Sequence, residues 1–551
     1  MSPRTHITVL GGGISGLSTA YYLAKTTPST VKITLIEGTK RTGGWLHSDR
    51  VKYDPSHTGE KGSILLERGP RSLRPQGISG LNTLEMVRNL GLESKIEPVS
   101  KTSPAAKNRF IYSHKTLHKL PSTIMGALTH PLLAAKIPRA GLDLVKGGSG
   151  QEDESIQDFV TRRFGKGFSD DLISAMVHGI YAGDVSKLSV RATFGMLYHM
   201  EKDYGSIVLG MLMGGGAVDT PWDLTLKEKI VKEMPDLQEF VDKTSIYSFT
   251  DGLEELSRSL ENSLVKDGRV DIRKESVVER LEVDLASRDV RISIKGQDPV
   301  HANTVISALP PPKLQKLLST SYPELTHNPA VTVAVVNLVY PAEQARLASP
   351  GFGYLIPRSE NSAVKHRGLL GVVFDSCAIP AQDQGASQDN TLKLTAMIGG
   401  HMFNEALSQL SSSSASGSAG STLELSLTGS HKDDVKEFFT KTATDAVKKH
   451  LKIDATPDLI KVHIHQECIP QYLVGHLQRM QTLDQSLRKD FDGLLAVTGA
   501  GYLGISVNDC IKNAREVAEA VVSKLEEEED GEAQLVGRQD AITGLERSWF
   551  L

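Results

Sequence analysis

Cysteine is scarce in this 551-residue chain, which has only Cys377, Cys468 and Cys510, all far apart. That spacing builds neither a disulfide framework nor a metal site, so no metal is expected and the usage fits a reducing or neutral compartment. Long apolar runs are also missing: no stretch reaches the length of about 18 residues that a spanning helix needs. Charge of one sign is not in excess either, with 62 basic against 66 acidic residues, which argues against a global nucleic-acid role. Strand-like sequence begins by Ile7, leaving no room before the fold for a signal or transit peptide. What remains is a chain long enough for several domains, each with its own core.

The stretch His6 to Glu37 organises the rest. Ile7 to Leu10 is a short apolar run of the buried-strand kind, and Gly11, Gly13 and Gly16 follow as G-x-G-x-x-G. Ala20, Leu23 and Ala24 continue on a helical period, and Ile33, Leu35 and Ile36 make a second strand ending at Glu37. The chemistry needs this spacing. Gly11 permits the tight turn, Gly13 lets a pyrophosphate reach the backbone, and Gly16 lets helix and strand pack closely. The helix start offers free N–H groups to the anion. Glu37 stands 21 residues after Gly16, the usual place for an acid that holds a ribose hydroxyl. Strand, helix, second strand and acid in order point to dinucleotide binding rather than to a Gly-rich turn that binds nothing.

Three further stretches favour FAD over NAD. Arg41, Gly43, Gly44 and Trp45 form R-T-G-G-W, which resembles the R-x-G-G of FAD enzymes of the glutathione reductase type. Leu494 to Val507, LLAVTGAGYLGISV, opens a helix and resembles their closing flavin motif, where the positive helix end faces the isoalloxazine. Thr304 to Pro310, TVISALP, resembles their crossover strand.

Elsewhere the chain changes character several times. Leu65 to Arg71 carries a Gly-Pro turn that either returns to the cofactor or is an ordinary surface turn, and Leu84 to Leu92 reads as a short helix. Residues 101–150 hold Lys101, Lys107, Arg109, Lys115, Lys119, Lys136, Arg139 and Lys146 against the single acid Asp143. Ile124, Met125, Leu128, Leu132, Leu133, Ile137, Leu142 and Leu144 are interleaved, a composition that suits an anionic membrane surface or, alternatively, a solvated basic face. Residues 151–219 look helical; within them Gly205 to Ala217 reads as core, with a channel lining or lipid contact as alternatives. An α/β pattern returns over 246–308, and 330–400 reads as a second sheet. Residues 411–421, SSSSASGSAGS, are of low complexity and read as a disordered insertion, and the tail from Glu526 lacks periodicity, which places both outside the fold.

Taken together, VLGGGISGL, RTGGW, LERGPRSLRP, AAKNRFIY, GIYAGD, GFGYLIP, VFDS, ECIPQY, the Gly475-His476 pair and SVNDCI resemble the protoporphyrinogen oxidase family. The resemblance runs from about residue 6 to 522. It implies a multidomain α/β (α+β) fold with a Rossmann-type FAD domain of the glutathione reductase/amine oxidase kind, formed by 1–102, 220–308 and 450–525. A helical membrane-binding domain would span 103–219 and a mixed-sheet substrate domain 309–449, with an insertion at 404–432 and a tail at 526–551.

By the same resemblance, FAD would contact Gly11, Gly12, Gly13, Ile14, Ser15, Gly16, Glu37 and Gly38. It would also meet Arg41, Gly44 and Trp45, then Gly69, Pro70, Arg71 and Ser72, and finally Val277, Ala500, Ile505, Ser506 and Val507. Arg109 matches the arginine that pairs with a substrate propionate, Leu355 and Val373 the residues that sandwich the macrocycle, with Phe352 and Met397 nearby, and Gly179 a backbone near a pyrrole N–H; the alternatives are a membrane-facing cation for Arg109 and plain strand core for Leu355, Val373 and Met397. The implied reaction is hydride transfer from a porphyrinogen methylene bridge to the flavin N5, with oxygen reduced to hydrogen peroxide. No side chain is marked as an obligatory base. The implied setting is the intermembrane-space side of the mitochondrial inner membrane, as a peripheral homodimer in contact with ferrochelatase. Another FAD oxidase of the same fold, acting on an amine or a polyene, is the alternative; so is a flavin-binding scaffold without turnover.

Overall fold

The structure is a computed structural model that describes residues 5–55, 62–121, 130, 141–145, 147–216, 218–360, 368–413, 431–529 and 541–551. The Gly-rich stretch sits where its pattern predicts. His6–Leu10 is the central strand of a five-stranded parallel sheet, between Lys32–Ile36 and Thr304–Ser307, with Val270–Arg273 and Leu495–Val497 at the edges. Strands covered on both faces are apolar throughout, and Ile7, Val9, Leu10, Ile33, Leu35 and Ile36 are all buried. On one face Leu17, Leu256, Leu260, Ile511 and Val521, from the helices Ile14–Thr26, Glu254–Asp267 and Val507–Glu529, share a cluster with Ile7 and Ile33. On the other, the antiparallel strands Val278–Asp284, Asp289–Ile294 and Val300–Ala302 and the helix His476–Phe491 pack against Leu10, Ile36 and Val305.

The second sheet has seven strands, in the order Leu459–Pro470, Ala330–Pro341, Thr391–Gly400, Leu369–Val373, Gly353–Leu355, Arg109–Ser113, Thr116–Lys119. Its neighbours run antiparallel except Gly353–Leu355 beside Arg109–Ser113. This corrects two expected domain limits. The strands 109–113 and 116–119 leave the helical region, and 459–470 leaves the FAD domain, to join the substrate sheet. Alternation of side chains marks a strand but not the sheet it joins, because pairing is non-local.

The helical region builds its own core from Ile156, Phe159, Val177, Leu188, Tyr198, Met200 and Ile207. Gly205 to Ala217 is only partly core. In the helix Ile207–Leu212, Ile207 and Gly210 face inward, whereas Leu212 and Met213 are 76% and 65% exposed. Just one face of that short helix meets a neighbour, so its apolar residues on the other face stay in solvent. Within the basic apolar segment, residues 122–129, 131–140 and 146 lie outside the described residues, and with them Ile124, Met125, Leu128, Leu132, Leu133 and Ile137.

Two segments expected to lie outside the fold take part in it. The insertion placed at 404–432 opens inside a helix, Phe403–Ser413, whose Phe403 and Leu407 join the core of the large sheet. Apolar residues four apart on one helix face explain that docking; residues 414–430 lie outside the described ones. The tail returns after the closing helix: Ala541 and Leu545 are fully buried, and the Val497 N–H donates to the Thr543 carbonyl at 2.8 Å. The tail binds by specific pairings, which leave no periodic trace. The helix expected at Leu84–Leu92 starts earlier, spanning Gly77–Asn89.

Candidate cofactor and substrate site

The Gly-rich turn is held by its backbone. Gly11 has φ +96°, and a Cβ on Gly16 would stand 1.8 Å from the Gly11 carbonyl oxygen, so strand and helix touch there. Gly13 differs: nothing lies within 4 Å of where its Cβ would be. It begins the helix Ile14–Thr26, whose first turn has no side-chain cap, leaving N–H groups directed at that open space. Ser15 lies inside the same helix start, its hydroxyl 3.4 Å from the Cβ position of Gly499.

Glu37 faces the turn. Its two carboxylate oxygens accept from the N–H groups of Gly12 at 2.7 Å and Thr39 at 2.8 Å. An ionised carboxylate has further lone pairs, which suits a ribose hydroxyl. Gly38 lies against the half-exposed Val277, whose Cγ2 is 3.7 Å from the Gly38 Cβ position. Arg41 braces the loop that follows. Its guanidinium donates to the carbonyls of Thr42 at 2.7 Å, Leu46 at 2.9 Å and Gly44 at 2.5 Å, and pairs with Glu254 at 3.2 Å. The braced loop sets Gly44 against Gly13, and the Gly43 N–H donates to the Gly12 carbonyl at 2.7 Å. Trp45, 46% exposed, meets the ring of His465 edge-on, with centroids 5.3 Å apart.

The Gly69–Ser72 turn returns to this place, since a Cβ on Gly69 would stand 2.7 Å from the Trp45 carbonyl. Pro70 and Ser72 flank the buried Arg71, whose Nη1 donates to Asp375 at 2.5 Å; its buried Nη2 has no acceptor among the described residues. The Thr395 hydroxyl donates to the other Asp375 oxygen at 2.5 Å. Nearby, burial pushes the Glu67 carboxyl up to about 7, against donors from Leu253 and Ser48 and the charge of Arg71.

The closing motif is organised by residues outside it. The Tyr472 hydroxyl donates to the Ala500 carbonyl at 2.6 Å and accepts from the Gly504 N–H at 2.9 Å, clamping both ends of the turn. His476 stacks beneath Tyr472 and bonds the Tyr502 carbonyl through Nε2 at 2.6 Å. With Asn328 donating to its Nδ1, Nε2 carries the proton. Burial holds this imidazole down to about 3, so it stays neutral. After Ile505, Ser506 caps the helix Val507–Glu529 by accepting from the Asp509 N–H at 3.1 Å, and it donates to the Asp509 carboxylate at 2.6 Å. The only sequence signal for Tyr472 and His476 is the family resemblance of ECIPQY and of Gly475-His476, which names no role for either.

The residues expected to meet substrate come together on adjacent strands of the large sheet and one helix. Gly353 pairs with Arg109 on one side and Val373 on the other, and Gly371 pairs with both Leu355 and Met397. The helix Ser174–Tyr181 brings Gly179 onto Leu355: a Cβ there would come 2.9 Å from Leu355 Cδ2. Phe352 and Val373 pack with Val99, Ala105 and Ile246, whereas Met397 packs with Ala182 and Val333. His178 is buried, its Nδ1 bonded to the Ile356 carbonyl at 2.7 Å, a structural role.

An open glycine at an uncapped helix start, an acid at the end of the neighbouring strand, a clamped second turn at a helix start and a buried arginine donor without an acceptor together fit a dinucleotide with a flavin ring.

A family model described as flavin containing amine oxidoreductase matches residues 14–522. Protoporphyrinogen oxidase of Homo sapiens is 34% identical over 522 residues, 94% of this chain and 98% of that one. Protoporphyrinogen oxidase of Schizosaccharomyces pombe is 33% identical over 526 residues, again 94% and 98%. A solved structure from Exiguobacterium sp. 255-15 has a TM-score of 0.68 at 21% identity, covering 95% of this chain and 99% of that one, and so shares the fold. The chain belongs to the flavin containing amine oxidoreductases and, within them, to the protoporphyrinogen oxidase family, with FAD as its cofactor.

Proposed function

We propose that this protein oxidises protoporphyrinogen IX to protoporphyrin IX, removing hydride from a methylene bridge and reducing oxygen to hydrogen peroxide over three cycles. The observation that carries the reading is the grouping of Leu355, Val373 and Gly179 on adjacent strands and one helix, with Arg109, which has no partner among the described residues, paired in register with Gly353 beside them. Bound FAD supplies the hydride acceptor and the electron path to oxygen. The protein's own part is placement. Leu355 and Val373 offer apolar contact to a macrocycle and exclude water, and Gly179 lets it approach the helix backbone. Arg109 presents a planar fork to one carboxylate. The test is anaerobic mixing of the yellow holoprotein with protoporphyrinogen. Bleaching of the flavin band is expected; a band unchanged by protoporphyrinogen but bleached by an amine overturns the reading.

Peripheral attachment to a membrane belongs to the same proposal, on the intermembrane-space side of the mitochondrial inner membrane, as a homodimer that meets ferrochelatase. Leu209, Met211, Leu212, Met213 and Met196 support the membrane contact, because they are exposed together around one helical corner. Among the described residues no helix is long and apolar enough to cross a membrane.

A further inference from the structure

Among the described residues every arginine has a hydrogen-bond or ion-pair partner in the protein except two, Arg74 and Arg109. These two are close enough for the charge of Arg74 to disfavour the charged form of Arg109, adding to a larger effect of desolvation, and no acid compensates. The chain places them at one seam. Arg109 opens its strand opposite Gly353, beside Phe352, whose N–H donates to the Asn108 carbonyl at 2.9 Å. Phe352 packs with Ile246, and Tyr247, next in the chain, exchanges two backbone hydrogen bonds with Leu73, at 2.8 and 2.9 Å. Arg74 follows Leu73, and its carbonyl accepts from Asn508 at 2.7 Å, directly after the flavin-facing Ile505–Val507. Arg74 thus stands between the closing flavin motif and the substrate sheet, anchored by its backbone with its guanidinium left over.

Both residues are exposed, and no acid among the described residues pairs either guanidinium, so a ligand with two anionic groups would answer both charges at once. We propose that Arg74 and Arg109 form a two-point anchor for a dicarboxylate, each taking one carboxylate of the porphyrinogen, and that Arg74 makes the site selective for two acid groups on one macrocycle. This rests on the porphyrinogen reading. Arg74 is a binding residue here, with no part in the hydride step.

The test compares binding of protoporphyrin IX with that of its dimethyl ester to FAD-loaded protein, read by porphyrin fluorescence, alongside steady-state kinetics. Wild type should prefer the free acid by well over tenfold. Arg74→Ala should lose about tenfold of that preference and raise KM with little change in kcat or FAD content, and Arg74→Lys should recover part of it. Arg74→Ala with Arg109→Ala should abolish the preference. An acid-to-ester ratio unchanged in Arg74→Ala, or absent in wild type, overturns the anchor. The broader reading fails separately, if wild type binds the diacid yet does not oxidise the porphyrinogen.

Discussion

The ring of Tyr472 lies flat on that of His476, with centroids 3.9 Å apart and planes 6° from parallel. Each residue holds one carbonyl of the closing Gly-rich turn, Ala500 for Tyr472 and Tyr502 for His476. A histidine at a helix start and a tyrosine just past a strand end thereby fix a loop that belongs to neither element.

Tyr472→Phe keeps the stacked ring and removes the hydroxyl between Ala500 and Gly504. With two hydrogen bonds of about 1 kcal/mol each lost from the turn, FAD affinity should fall roughly ten- to thirtyfold, with little loss of overall stability. A flavin fluorescence titration checks this; unchanged affinity would remove Tyr472 from cofactor positioning.

The two glycines of the first turn should fail differently. Gly16→Ala forces a methyl to 1.8 Å from a backbone oxygen, so the fold itself should lose several kcal/mol. Gly13→Ala meets nothing in the protein, and its backbone, φ −70°, suits any residue. The apoprotein should melt as wild type does but lose flavin. Full FAD content in Gly13→Ala and Gly13→Leu would contradict the assigned pyrophosphate position.

Stability should fall as pH drops from 7 to 5. Burial holds His476 and His450 down to about 3 and His463 to about 4. A histidine depressed in the folded state contributes stability that is present above its unfolded pKa of about 6.5 and is lost as pH falls toward the folded value, at about 2 kcal/mol each by pH 5 for His476 and His450 and less for the partly solvated His463. Glu67 acts oppositely: raised to about 7, it contributes at low pH and loses that contribution as pH rises through 7, so it offsets one histidine. Urea unfolding at several pH values measures the slope, and His476→Phe should reduce proton uptake on unfolding by about one between roughly pH 4 and 6. The same uptake in that variant would refute a neutral buried His476.

Arg547 ties the tail to the core, donating to both oxygens of the buried Asp223 at 2.6 and 2.9 Å and to Glu516 at 2.9 Å. Arg547→Ala leaves Asp223 with Lys512 at 3.1 Å as its remaining ion-pair partner. Breaking such a pair from one side should cost about 3 kcal/mol. Thermal unfolding of the holoprotein gives the answer, and a melting point within a degree of wild type would mean the tail is only laid on the surface.

Leu212→Glu with Met213→Glu replaces two of the most exposed apolar side chains with charge. Flotation on vesicles containing anionic lipid should drop severalfold, while turnover in detergent stays normal. Equal flotation would move the contact elsewhere.

Much was legible in the sequence because it is written locally. From Ile7 to Glu37, conformation follows from residue type: Gly11 supplies a positive φ, Gly16 the missing Cβ, and alternate strand and helix periods do the rest. The same local rules marked the strands at 330–341 and 391–400, and the motifs carried the family and the cofactor. Tertiary structure alone decided which sheet received 109–119 and 459–470, that Tyr472 clamps a turn 28 residues away, that the aperiodic tail docks through Arg547, and that Arg74 comes near enough to Arg109 for its charge to act on it. Each of these depends on the register in which distant segments pair. Register is chosen by the summed burial of whole faces, and no short window of sequence contains that sum.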